Sequence, residues 1–215
     1  MVKEAASWFL DGVFLNYNSS YLEQMLEQLL DEDDSPEVTR FLRAVDVRID
    51  GFRVERAPEW RGQRVFVRHE VGGKAYELRL SEESAGTQKL MGLAAYLMTA
   101  LERGGTVVVD ELDAKLHPKL LRYVILLFKD PGVNKSGAQL IFSSQDVSTM
   151  RNDVFRRDEI WFAARGEGEA SQLWSLADIH EANGNLVSKN AAFDKQYLSG
   201  RYGADPYLTR IEEWD

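Results

Sequence analysis

The first hydrophobic pattern along the chain is helical. Residues 21–30 place leucines and a methionine three and four positions apart, which is the spacing of one face of an amphipathic helix. A run of acidic residues, 31–34, interrupts this face. Pro36 suits the first turn of a second helix that extends through Val45, with Ser35 as its N-cap. The pattern therefore predicts two helices near the start of the sequence.

An alternating pattern follows. Apolar residues alternate with polar ones, as in strands with one buried face, in three segments: 47–54, where the alternation slips at Gly51, 65–67 and 76–80. Gly72 and Gly73 lie between the last two segments and fit a two-residue hairpin turn. Residues 1–80 thus predict a helical segment followed by a small antiparallel sheet, and we place a domain boundary after residue 80.

From residue 81 helices alternate with short, continuously apolar segments. The predicted helices are 85–101 and 119–129, and the strand-like segments are 106–109, 139–143 and 160–164. Strands that are apolar on both faces and alternate with helices are typical of a parallel sheet covered by helices. We therefore expect an α/β fold in which the three strands are neighbours in one mainly parallel sheet. This second domain would span 81–215.

Composition narrows the classes of function. The 215 residues carry a net charge of -9 and include no cysteine. An acidic surface binds nucleic acid poorly, so we expect nucleic acid to be contacted only indirectly. The lack of cysteine excludes disulfides and thiol chemistry and fits a reducing compartment. The first residues lack the pattern of a secretory signal, and no segment approaches about 18 consecutive apolar residues, so we expect a cytoplasmic protein without membrane spans.

Two adjacent carboxylates end the first apolar strand. Asp110 and Glu111 directly follow the run 106–109, and ligands of open parallel sheets lie beyond the carboxyl ends of the strands. Successive side chains diverge there, so the two acids suit different tasks. In a P-loop ATPase the first acid, here Asp110, holds Mg²⁺, and the second, here Glu111, polarises the attacking water. The alternative is a strand that merely ends in two solvated acids.

A candidate phosphate-binding segment opens the helix at 85–101. It contains Ser84, Gly86, Thr87 and Gln88. Free backbone N–H groups, hydroxyls and the positive end of the helix dipole favour a phosphate at such a position. The alternative is an ordinary helix N-terminus that Ser84 caps. Further along, Gln145 follows the predicted strand at 139–143, from where its polar side chain is placed to reach a γ-phosphate.

The order of these elements resembles the C-terminal half of an ABC-type ATPase head, in the group that includes SMC-like and OLD-like proteins. Residues 84–88 resemble the signature motif, 106–111 Walker B and 112–114 the D-loop, and Gln145 lies where the switch histidine belongs. The run DELDAKLHP and the tail at 197–204 are similar to a bacterial AAA-type subfamily of ATP-binding proteins. The similarity spans residues 40–208.

This resemblance implies a partial P-loop NTPase fold and a head-to-head dimer that holds ATP and Mg²⁺ between its subunits. It assigns nucleotide contacts to Ser84, Gly86, Thr87, Gln88 and Asp113. It assigns Mg²⁺ to Asp110, and hydrolysis to Glu111 and Gln145. In several related systems the ATPase works with a nuclease or toxin-like partner in phage defence, so such a partner is implied as well.

Two features depart from the family pattern. No Gly-x-x-x-x-Gly-Lys-Ser/Thr run occurs, and the nearest candidate, Gly72-Gly73-Lys74, has the wrong spacing. Gln145 replaces the switch histidine, and an amide donates to a phosphate oxygen but neither carries charge nor shuttles a proton. We therefore expect a chain that hydrolyses no ATP alone and needs a P-loop-bearing half or a full-length homologue.

Two other functions stay open. A catalytically silent scaffold or regulatory fragment explains the missing P-loop directly. A metal-dependent nuclease requires several acids to converge on a metal pair, and its candidates are Asp110, Glu111 and Asp113. Adjacent strand-end residues point apart, which disfavours the nuclease. The histidines are predicted to be structural, including one at the start of a helix: His69, His117 and His180.

Overall fold

The computed structural model describes residues 12–16, 36–45, 49–56, 63–165 and 170–204. The chain divides into two compact units, 1–145 and 146–215, and each is described by itself. The sequence pattern places a boundary after residue 80 instead, and that division stays a prediction. The helix predicted at 21–30 and the N-cap Ser35 lie outside the described residues.

The described part of the first unit alternates helices and strands. Its elements are β1 (Val13–Asn16), α1 (Pro36–Ala44), β2 (Gly51–Arg56), β3 (Gln63–Val71), β4 (Lys74–Arg79), α2 (Ala85–Arg103), β5 (Thr106–Val109), α3 (Pro118–Lys129) and β6 (Gln139–Phe142). The predicted helices at 36–45, 85–101 and 119–129 are thus confirmed to within two residues at each end. The unit is α/β, as the sequence pattern predicts.

A parallel sheet carries the strand-end acids. Its described strands lie in the order β1-β5-β6, with Val13 beside Thr106 and Val109 beside Phe142. The central strand is covered on one face by the packing of Val107 and Val109, which are buried, while on its other face Thr106 is buried and Val108 half-buried. The predicted pairing of 106–109 with 139–143 is confirmed. The sequence analysis did not find β1, which takes the place beside β5.

Strands β2, β3 and β4 form a separate antiparallel sheet in sequential order. The predicted hairpin at Gly72 and Gly73 is confirmed, because both glycines have positive φ, 60° and 76°, which a two-residue type I′ turn requires. Phe52 and Val67 pair across this sheet and are fully buried. The predicted antiparallel layer is therefore present.

Helix α2 is the longest helix among the described residues, and its composition favours a helix throughout. Its 19 residues are rich in alanine, leucine and methionine, which are good helix formers. It ends at Gly104, whose φ of 83° is left-handed, and a Cβ there would lie 2.4 Å from the carbonyl oxygen of Ser136. Helix α1 packs against α2. Among the described residues, no helix is both long enough and apolar enough to cross a membrane.

The second unit corrects one prediction. Segment 160–164 is not a third strand of the parallel sheet: β7 (Trp161–Arg165) pairs antiparallel with β8 (Ser171–Ser175) in a two-stranded sheet. The connection 166–170 is too short for the crossover that parallel strands require. Side chains of β7 also alternate, since Phe162 is buried and Trp161 is 58% exposed. The run looks continuously apolar only because its exposed residues are tryptophan and alanine.

The core of the second unit collects the aromatic residues of the tail. It contains Ile160, Phe162, Leu176, Val187, Phe193 and Tyr202. Phe193 begins the short helix α4 (Phe193–Leu198), and the ring of Phe162 lies 5.7 Å from that of Tyr197 and parallel to it. Burial raises the pKa of Tyr202 to about 12. The described aromatic residues of the tail therefore lie in this core or, like Tyr197, pack against it.

Candidate functional site

The site lies at the carboxyl ends of β5 and β6, where Asp110 and Ser143 follow the two strands. Because Val109 and Phe142 are in register, the residues after them are also neighbours. The Ser143 hydroxyl donates to the Asp110 carboxylate, and Ser143 Oγ accepts a hydrogen bond of 2.7 Å from the backbone N–H of Glu111. One serine therefore connects both acids to the neighbouring strand.

Glu111 has an unusual backbone. Its φ is 49°, in the left-handed region that residues other than glycine seldom adopt, and such strain is concentrated at functional sites. Its carbonyl oxygen accepts a hydrogen bond of 2.5 Å from Lys89 Nζ in α2. Its side chain is exposed, and Gln145 Nε2 lies 3.5 Å from Glu111 Oε1. The structure thus brings together the two residues predicted to act in hydrolysis.

The candidate phosphate-binding segment forms the start of α2. Ser84 is the N-cap: its Oγ accepts from the Thr87 N–H at 3.1 Å and lies 2.9 Å from Thr87 Oγ1. Gln88 Nε2 donates to the Glu83 carbonyl at 2.8 Å. Ser84 is exposed, while Thr87 and Gln88 are half-buried. The structure therefore shows the ordinary capping interaction of a helix N-terminus, with the cap residue Ser84 exposed.

Gly86 lies against the loop that follows the acids. A Cβ at this position would come 2.9 Å from the carbonyl oxygen of Lys115, and Lys115 itself has a left-handed φ of 64°. A glycine lets the helix and the loop backbone approach this closely. The start of α2 and the loop after Asp110 are therefore in contact within one chain.

Two charged residues, Asp113 and Lys89, lie in the elements that meet at this contact. Asp113 is half-buried, and among the described residues its Oδ1 is one of two buried side-chain atoms without a hydrogen-bond partner. Burial lowers the pKa of the Lys89 ammonium, and the negative charges of Asp113 and Glu111 oppose that shift. The charge of this half-buried cation is thus disfavoured by burial and by Lys115, and favoured by the nearby acids.

The carboxylates suit a metal that arrives with a nucleotide. Among the described residues no group of three histidine or acidic side chains is placed to hold a metal ion. Mg²⁺ is typically bound by one or two carboxylates together with substrate phosphates, so a single strand-end acid, Asp110, fits that role. Asp110, Glu111 and Asp113, the candidates for a metal-dependent nuclease, do not form such a group.

The histidines in the described residues are structural. His117 is the N-cap of α3, and its Nδ1 accepts from the Lys119 N–H at 3.1 Å. His69 Nε2 lies 2.6 Å from Glu83 Oε1, and His180 Nδ1 lies 3.1 Å from the Asp178 carbonyl oxygen. The predicted helix start at His117 is confirmed.

Sequence reasoning missed Ser143 and Lys89. A signal existed for Ser143, since it is the last residue of the strand predicted at 139–143, and pairing with 106–109 places it level with Asp110. No comparable signal marks Lys89, whose contact with Glu111 spans 22 positions and depends on how α2 packs. Both residues act on the backbone of Glu111 rather than on its carboxylate.

Acids at the ends of parallel strands lie where ligands of open α/β sheets bind. Residues 3–151 match the family model described as "AAA domain, putative AbiEii toxin, Type IV TA system". The chain therefore belongs to this AAA family. No curated protein matches it.

Several solved structures are similar to the chain. One comes from work on ATP-driven dimerization and DNA stimulated activation of SMC ATPases, with a TM-score of 0.47, 15% identity, and coverage of 74% of this chain and 89% of that chain. Another is the Smc head domain with a coiled coil and joint from Pyrococcus yayanosii (TM-score 0.46, 16% identity, 70% and 27%). A third is the SmcHead bound to the C-winged helix domain of ScpA (0.40, 15%, 72% and 42%). The chain spans less than half of the length of the last two.

Proposed function

We propose that this chain is part of an ATPase head of the SMC- and OLD-like group, in which it supplies the Walker B element to its own nucleotide site and the signature element to the site of the opposite head. The observation that carries the proposal is the serine bridge at the sheet edge. Ser143 connects Asp110 and Glu111, and Gln145 lies beside Glu111. Two acids with separate tasks and an amide donor are thereby held at the edge where ligands of parallel sheets bind.

Each residue of this group has a proposed task. Mg²⁺ bound with ATP neutralises phosphate charge, and Asp110 would hold it, through water in the usual case. Glu111 would orient the attacking water and polarise it. Gln145 would donate a hydrogen bond to a phosphate oxygen, a contact that contributes no charge and moves no proton. The reaction is therefore expected to be slow even in the assembled site.

The start of α2 would serve the nucleotide of the opposite subunit. Ser84, Gly86, Thr87 and Gln88 lie at a helix N-terminus, where backbone N–H groups and the helix dipole favour phosphate. Asp113, with its unpartnered oxygen, would lie at the interface between the heads. A head-to-head dimer would bring this surface to a P-loop held by a P-loop-bearing half or a full-length homologue.

The effector is proposed from the family. The family description names a type IV toxin–antitoxin system, which fits a toxin-like or nuclease partner that responds to nucleotide-driven closure. A role in phage defence and a cytoplasmic location are part of the same proposal. The partner, rather than this chain, would bind nucleic acid, because the net charge of -9 on the chain repels the phosphate backbone.

A titration with a fluorescent ATP analogue, combined with light scattering, tests the shared site. We expect weak binding by the chain alone, and binding with ATP-dependent association once a P-loop-bearing family member is added. Ser84→Arg places bulk and charge on the helix N-terminus and is expected to abolish association. Ser81→Arg makes the same change on an exposed neighbouring residue and should leave association intact. Equal association by both variants would contradict the shared site.

The second candidate is a silent scaffold, which is favoured by the absence of a Gly-x-x-x-x-Gly-Lys-Ser/Thr run from the sequence. A scaffold would associate with its partner without ATP. It would also tolerate Ser84→Arg as well as it tolerates Ser81→Arg. The same titration therefore separates the two candidates.

A further inference from the structure

The backbone of Glu111 is held on both sides by residues far away in sequence. Its N–H donates to Ser143 Oγ at 2.7 Å, and its carbonyl oxygen accepts from Lys89 Nζ at 2.5 Å. Between these two bonds the residue adopts a φ of 49°. A glutamate needs support from its surroundings to stay in this region.

Each bond comes from a different part of the fold. Ser143 follows β6, and its own backbone is fixed: its N–H donates to the Val109 carbonyl, and its carbonyl accepts from the Leu112 N–H at 3.0 Å. Lys89 belongs to the first turns of α2, five positions after the N-cap Ser84. The sheet thus holds one side of the Glu111 backbone, and the helix that begins at the candidate phosphate-binding segment holds the other.

The environment of Lys89 fits a structural task. The side chain is half-buried, and burial disfavours its charged form. An exposed lysine would avoid that penalty. Its ammonium instead contacts a backbone carbonyl, with Asp113 and Glu111 close enough to influence its charge. A hydrogen bond from a charged donor is among the stronger kinds.

We propose that Lys89 and Ser143 are positioning residues that hold Glu111 in its left-handed conformation and so direct its carboxylate toward Gln145. Helix α2 would bind the phosphate of the nucleotide held by the opposite head. Through Lys89, the same helix sets the conformation of Glu111, which would act at this chain's own nucleotide site. The reaction-related part of this inference rests on the proposed function, whereas the geometric part does not.

The geometric part is tested by NMR on the full chain. Ser143→Ala removes the acceptor of the Glu111 N–H, and we expect the Glu111 amide to exchange with solvent at least tenfold faster. The Leu112 amide, which bonds to the backbone of residue 143, is the internal control and should stay protected. Lys89→Met should move the Glu111 carbonyl carbon resonance upfield, and Lys89→Arg should restore most of that shift. Lys115→Met removes a nearby exposed lysine and should leave the resonance in place.

The outcomes separate the two parts. Unchanged Glu111 resonances and exchange in both Lys89→Met and Ser143→Ala would overturn the inference, whatever the chain's activity. With a P-loop-bearing partner, we expect Lys89→Met to lower kcat at least tenfold at unchanged KM, Lys89→Arg to recover it and Lys115→Met to have no effect. An NMR response without that loss of kcat would overturn the link to hydrolysis. A wild-type pair without turnover would count against the proposed function and leave the NMR result to decide the geometry.

Discussion

Replacing Gly86 with alanine tests the contact between α2 and the loop that follows the acids. The new Cβ would lie 2.9 Å from the Lys115 carbonyl oxygen, about 0.5 Å inside the 3.4 Å at which ordinary contact begins. The obstructing atom belongs to the backbone, and Lys115 already has a left-handed φ of 64°. The loop therefore has little freedom to move away.

Two effects of opposite sign set the magnitude. Alanine is favoured over glycine inside a helix by about 0.5–1 kcal/mol. Overpacking against a fixed neighbour costs about 1–3 kcal/mol. We therefore expect a net loss of about 1 kcal/mol in the free energy of unfolding of the first unit. In urea this corresponds to a midpoint lower by about 0.3–1 M for a typical slope.

Urea unfolding followed by circular dichroism measures this loss. Gly132→Ala is the control, because the nearest atom to its new Cβ is a side-chain oxygen, Asp130 Oδ1 at 3.0 Å, rather than a backbone atom. The cost there is limited to weakening the exposed hydrogen bond of 2.7 Å that this oxygen accepts from the Gly132 N–H, so we expect a smaller loss than for Gly86→Ala. If Gly86→Ala unfolds at the wild-type midpoint or above it, the close approach to Lys115 is refuted.

Three further predictions concern single residues. Ser84→Ala removes the N-cap of α2 and should lower the free energy of unfolding by about 0.5–2 kcal/mol, measured by the same urea titration. Gln145→His should raise the hydrolysis rate of the assembled site, measured by phosphate release, if Gln145 occupies the switch position. Because burial raises the pKa of Tyr202 to about 12, the unfolded chain loses the phenolic proton first, near pH 10. Stability from this group is therefore present below pH 10 and declines as the pH rises toward 12, and thermal unfolding of wild type against Tyr202→Phe across that range should show it.

Much of the fold follows from local pattern. Three elements could be predicted from nearby residues alone. They are β5, from the Val-rich run before Asp110, the hairpin turn, from the glycine pair at 72–73, and α2, from its helix-forming composition. Elements that depend on distant pairing were harder to predict. Strand β1 has only four residues, and what marks it as a strand is its pairing with β5. The exposed face of β7 could not be recognised from sequence, because it carries Trp161, an apolar residue that lies outside the core.

The residues of the candidate site also fall into those with a local signal in the sequence and those that depend on distant contacts. Asp110, Glu111 and Gln145 are identifiable because a polar residue at the end of an apolar strand is a local signal. Ser143 is 32 positions from Glu111 and contacts it because of strand register. Lys89 is 22 positions away and contacts it because of helix packing. The left-handed φ of Glu111 was also beyond prediction, since glutamate has no preference for that conformation.

The central claim is tested most directly by phosphate release from the chain alone and from the chain with a P-loop-bearing partner. The partner should be the complementary P-loop-bearing half without a Walker B glutamate of its own, so that turnover reports on Glu111. We expect no appreciable turnover by the chain alone, turnover by the pair, and a loss of about 10²–10⁴-fold in the pair with Glu111→Gln, while nucleotide binding persists. Robust, Glu111-dependent turnover by the chain alone would contradict the shared site, and turnover by the pair that ignores Glu111→Gln would contradict its role in hydrolysis.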